Sequence, residues 1–186
     1  MNAPSLPHAQ MPTTSLAWPV RATRAFIGAC ERFPHSLLAL LARLSIAAVF
    51  WGSGQTKVEG FVLNLVSGEF MLGWPRLSDS ALALFQEEYR LPFVPPEIAA
   101  PMAATAEHLL PALILLGLGT RFSALGLLGM TAVIQLFVYP GAYATHGTWA
   151  AVLLGLIVRG PGVLSLDHLL ARRVRWEPQR SNAAPR

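Results

Sequence analysis

Four stretches between residues 34 and 160 are apolar almost throughout, at about 34–54, 96–119, 122–139 and 143–160. A helix rises about 1.5 Å per residue, so roughly 20 apolar residues cross the hydrocarbon core of a bilayer. The first three stretches meet that length. The fourth is apolar from about Thr145 and is short, so either it starts earlier, between Gly141 and Tyr143, or the Gly160-Pro161-Gly162 turn dips into the interface. Backbone in lipid must satisfy its own hydrogen bonds, so each stretch is expected to be a helix. The fold class that follows is all-α: an integral membrane four-helix bundle over residues 34–170. Composition agrees, with 53% hydrophobic and 13% charged residues, where soluble domains carry about a quarter charged.

Residues 1–17 are rich in Pro, Ser, Thr and Ala and read as a disordered leader. Over 18–33, Ala22, Phe26, Ala29, Cys30 and Phe33 share one helical face, opposite Arg21, Arg24, Glu31 and Arg32. That pattern suits a short amphipathic helix on a membrane surface, against the plainer reading of an unstructured basic leader. Between the first two spans, Phe61, Val62, Leu65, Val66 and Phe70 suggest a helix lying on the bilayer. Ser78 or Ser80 is placed to cap a second helix carrying Leu82, Phe85 and Tyr89, and Pro96 suits the first turn of the second span. This external helical segment reads as a lid over the bundle or as a docking surface. Residues 171–186 form a basic tail.

Charge sets the orientation. Arg21, Arg24, Arg32, Arg121, Arg159, Arg172, Arg173, Arg175, Arg180 and Arg186 fall on one side of the spans. The other side holds Lys57, Arg76 and Arg90 among six acids. The positive-inside rule then puts both termini in the cytoplasm. Although the net charge is +4, the arginines gather at the chain ends and not along one face, which argues against nucleic acid. The single cysteine, Cys30, excludes an internal disulfide and any Cys-x-x-Cys metal or haem motif. The first 32 residues hold no apolar run of signal-peptide length.

Charges inside the spans are expensive, about 2.5–3.5 kcal/mol each on insertion scales. Arg43 and Glu107 fall near the middle of the first and second spans, so a buried Arg43–Glu107 pair is expected. Such a pair either fixes helix register or marks a functional site. Pro111 has no N–H to offer the carbonyl of Glu107, which predicts a kink and a polar turn. His108 points about 100° away from Glu107 around the helix. It either borders the interior or packs neutrally on a neighbouring helix. Gln135 joins Arg43, Glu107 and His108 as a pocket candidate. Lys57, His146 and Trp149 are candidates for an external mouth. No metal-ligand or haem pattern appears, since His146 lies far in depth from His108.

These residues resemble a known family. Arg43, Gly54-x-x-Lys57, Glu107, the turn Gly117-Leu-Gly-Thr-Arg121 and the tail Gly160-Pro161-Gly162-Val-Leu-Ser-Leu-Asp167 are similar to the DoxX family of small four-span membrane proteins. The likeness covers roughly residues 37–170. Ala47 stands where the family usually has glycine. The resemblance implies a bacterial inner-membrane bundle tied to redox work, as a subunit of a quinone-linked oxidoreductase or a partner of soluble thiol and superoxide enzymes. The expected function is an accessory, redox-linked subunit, not catalytic alone, whose pocket takes a quinone-like headgroup or another small polar ligand. A non-catalytic scaffold that recruits a partner protein is the alternative, and a small transporter ranks last because no internal repeat is present. Expected partners are the lipid bilayer, other membrane or periplasmic proteins, and a further copy of the chain.

Overall fold

The computed structural model describes residues 18–64 and 68–174. The expected disordered leader, 1–17, and most of the basic tail lie outside the described residues. The first unit ends at Pro34. It contains helix α1, Trp18–Glu31, within the segment expected to be amphipathic.

The second unit begins at His35 with α2, His35–Gln55. Good helix formers fill this segment up to Gly52, and its buried residues, Ala39, Arg43, Ile46, Ala47, Phe50 and Gly54, recur at the three- and four-residue spacing of one helical face. Leu37, Leu38, Leu41, Leu44 and Val49 are exposed. α4, Pro96–Leu116, buries Ala99, Ala100, Ala104, Glu107, Pro111 and Ile114 at the same spacing and continues through both Pro101 and Pro111. Pro96 opens it as expected. α5, Thr120–Val133, runs on as a π-helical turn, Ile134–Val138. α6 is Tyr143–Arg159 and α7 is Leu166–Val174. α2 packs on α4, α4 on α5, α5 on α6, and α6 back on α2. Ile46, Phe50, Ile114, Leu127, Leu153 and Leu156 fill the centre of this ring. α2, α4 and the α5 segment through Val138 are long and apolar enough to cross a membrane.

The segment between α2 and α4 corrects the all-α expectation. Val58–Asn64 and Glu69–Leu77 are strands β1 and β2 of an antiparallel hairpin, not a surface helix. Gly60, Gly68 and Gly73 fall within fourteen residues, and each costs a helix about 1 kcal/mol relative to alanine. A bulge sits at Gly60, whose φ is +80°, and a Cβ on Gly73 would stand 2.4 Å from the Gly60 carbonyl oxygen. Of the residues that mimicked a helical stripe, Phe61 pairs with Leu72, Val62 with Met71 and Phe70 with Leu63 across the strands, while Leu65 and Val66 lie outside the described residues. The second expected external helix is present. α3, Asp79–Leu84, is capped by Ser78, whose hydroxyl accepts from the Ala81 amide. It continues into a π-helical turn, Phe85–Tyr89.

Candidate functional site

The expected Arg43–Glu107 pair does not form. α2 and α4 are antiparallel, and Gly54 faces Glu107 and His108 while Gly117 faces the Arg43 guanidinium. The helices are therefore staggered, with Arg43 about ten residues, or about 15 Å, from the level of Glu107. Equating the midpoints of the two spans missed that offset. Lys57, expected at an external mouth, takes the place of Arg43. Its Nζ lies 2.7 Å from Oε2 of Glu107, and both side chains are buried. The Ser53 hydroxyl and carbonyl accept from the same ammonium at 3.0 and 3.3 Å. Gly54 makes this approach possible, because a Cβ there would meet His108 at 2.8 Å and Glu107 at 3.1 Å.

Arg43 instead closes the opposite end of the bundle. It donates to the carbonyls of Ile114 and Leu115 in the last turn of α4, and to those of Pro161 and Leu164 in the following loop of α6. The last carbonyls of a helix lack intrahelical donors and sit at the negative end of its dipole, so a cation there satisfies both needs. Asp167 does the converse. Its carboxylate accepts from the amides of Gly119 and Thr120 at 2.7 and 2.9 Å, at the start of α5. The Asp167 amide donates to the Gly117 carbonyl. Gly117 and Gly119 both have positive φ, at 69° and 56°, a conformation that favours glycine. The Arg121 side chain lies against Gly160, and Gly162 sits against Ser36 of α2. The motif residues Arg43, Arg121, Gly160, Pro161, Gly162 and Asp167 thus share one end, together with Arg159.

His108 follows the plainer of its two readings. Nδ1 lies 2.7 Å from the Ala104 carbonyl, which only accepts, so Nδ1 carries the proton. Nε2 then accepts from the Gln55 amide at 2.8 Å. The Gln55 oxygen is already occupied by the Leu63 amide of β1. The ring also stands edge-on to Trp51 and Phe61. Gln135 does not join Glu107. It donates to the Pro140 carbonyl and accepts from Nδ1 of His146 at 2.7 Å. His146 is buried, contrary to a place at an open mouth, and stacks at a tilt on Trp149, which also meets Phe50.

The space beside Glu107 lies on the side of α4 facing α5. A cleft of about 300 Å³ runs there, lined by Tyr89, Met102, Ala103, Glu107, Met130 and Val138 among others. Both π-helical turns border it, through Phe85 and Tyr89 on one side and Ile134 and Val138 on the other. π-turns of this kind concentrate at functional sites. They are joined at the rim: Tyr89 meets Tyr139 edge-on at 5.9 Å, and the Tyr139 hydroxyl donates to Glu88. That bond to a carboxylate holds the Tyr139 phenol well above its ordinary pKa. Burial also raises the pKa of Tyr89. Sequence reasoning placed Tyr89 on a surface helix and missed this role, because no local pattern marks a π-turn.

The DoxX family model matches residues 38–140. No curated protein and no solved structure matches the chain. The matched stretch runs from α2 to the end of α5 and holds Arg43, Lys57 and Glu107. It exceeds half of the 186 residues, and the chain belongs to the DoxX family, as a multi-pass membrane protein.

Proposed function

We propose that this protein is an accessory subunit of a membrane redox system that takes a quinone-like amphipathic molecule from the bilayer into the cleft beside Glu107. The observation that carries this reading is the cleft itself: about 300 Å³, lined almost wholly by apolar side chains, with Glu107 among its lining residues. Apolar walls with few polar groups are the usual make-up of small-molecule sites. The apolar body of the ligand would lie along Met102, Ala103, Met130 and Val133, and its polar head would meet Glu107 and Tyr89. A phenol donates to a carbonyl oxygen, and a carboxyl group can pass one proton as a quinone is reduced. The electrons would come from the redox partner.

In this reading α6 is the fourth span, at 17 residues a short one. Both termini face the cytoplasm of a bacterial inner membrane, since Arg121, Arg159, Arg172 and Arg173 belong to the end closed by Arg43 and Asp167. The test is purification in mild detergent followed by chromatography of the lipid extract. An isoprenoid quinone or similar lipid should copurify in near-stoichiometric amount. Glu107→Gln combined with Lys57→Met, which leaves no buried charge unpaired, and Ala103→Phe, which fills the cleft, should each lower that amount while the protein stays folded. Unchanged occupancy in both variants, or an empty wild-type extract, rules the site out.

A further inference from the structure

The geometry points to the β1–β2 hairpin as a membrane-seated element, immersed at the level of the lipid headgroups and upper acyl chains. Leu72 and Trp74 are 83% and 85% exposed, and Phe70 and Met71 are each more than half exposed. Side chains alternate along a strand, so Phe70 and Leu72 share one face and Met71 lies on the other. A protein partner covers one face of a strand, whereas lipid surrounds both. No charged residue occurs between Glu69 and Arg76.

The hairpin is also continuous with a lipid-facing element. The Leu63 carbonyl accepts from the Trp51 indole at 2.9 Å, and the Leu63 amide donates to Gln55 at 2.8 Å. Both side chains belong to the last turns of α2, a helix apolar enough to cross the membrane. These two bonds satisfy the Leu63 backbone, which lipid would leave unpaired. Glu59 opposite Arg76 and Asn64 opposite Glu69 bound the apolar zone at its two ends. That layout suits a hairpin lying in the interface, with its polar ends in reach of water. Tryptophan favours the same depth.

A single-cysteine series tests this in reconstituted phosphatidylcholine–phosphatidylglycerol vesicles. Cys30→Ser provides the background, and Leu72→Cys or Glu87→Cys carries an environment-sensitive fluorophore. Both positions are exposed, so neither label disturbs packing. The Leu72→Cys label should emit at shorter wavelength and be quenched several-fold more strongly by lipids carrying a shallow spin label than the Glu87→Cys label. Equal and water-like behaviour of the two labels overturns the proposal. So does a Leu72→Cys label shielded from water and lipid alike, paired with unlabelled Leu72→Cys protein that forms disulfides between copies under a mild oxidant, which would assign the surface to a second copy of the chain. Neither result depends on whether the cleft holds a ligand.

Discussion

Lys57 and Glu107 lie fifty residues apart in sequence and meet at 2.7 Å inside the protein, the lysine from the turn after α2 and the glutamate from the middle of α4. The pair joins the base of the β1–β2 hairpin to α4, which forms one wall of the cleft. Removing one partner leaves a buried charge without compensation, which costs about 3–5 kcal/mol. Lys57→Met is therefore expected to destabilise by that order, while Lys57→Met combined with Glu107→Leu recovers most of the loss. Unfolding in detergent micelles measures both. Equal losses in the single and double variants would show that the ion pair is not what matters there.

Arg43 should behave as a clamp on backbone. Its planar group reaches α4 and the loop after α6 at once, and a lysine ammonium cannot span both sets of carbonyls. Arg43→Lys should lose about 1.5–3 kcal/mol, the range for hydrogen bonds to a charged group. The residues after Gly160 should also become more open to proteolysis. Unaltered cleavage of the tail would contradict this role.

Asp167 caps α5 from outside that helix. Asp167→Ala should cost about 0.5–2 kcal/mol, as loss of an N-cap does. Gly117→Ala should cost more, because φ is +69° and the added Cβ would stand 2.5 Å from that of Ser165. Thermal unfolding of the two variants side by side gives the ranking, and a reversed order would place the weight on the carboxylate.

Tyr139 should titrate late. Its bond to Glu88 favours the neutral phenol, so the folded pKa lies above the unfolded one. That contact contributes its stability below the unfolded value, about 10, and loses it as pH rises through the folded value. Among the three tyrosines, phenolate absorbance should show a late step that disappears in Tyr139→Phe and moves to lower pH in Glu88→Gln. A Glu88→Gln curve that overlays the wild type would remove Glu88 as the cause.

The sequence by itself determined the long apolar helices, Pro96 at the head of α4, a serine cap at position 78 or 80, and the residues that carry the family likeness. These depend on local periodicity and on the cost of charge and backbone in lipid, which can be read without knowing which helix meets which. Charge partners could not be read that way. Arg43 and Glu107 look matched when span midpoints are aligned, but a stagger of about 15 Å separates them, and helix-to-helix stagger is set by where a small residue admits its neighbour, as Gly54 admits His108. The hairpin escaped for a related reason. The spacing of Phe61, Val62 and Phe70 fits a helix, and only the close approach of Gly60 to Gly73, with the cross-strand pairs it permits, decides for strands. The cleft is wholly tertiary, because its walls come from α4, α5 and two π-turns separated in the chain and brought together by packing.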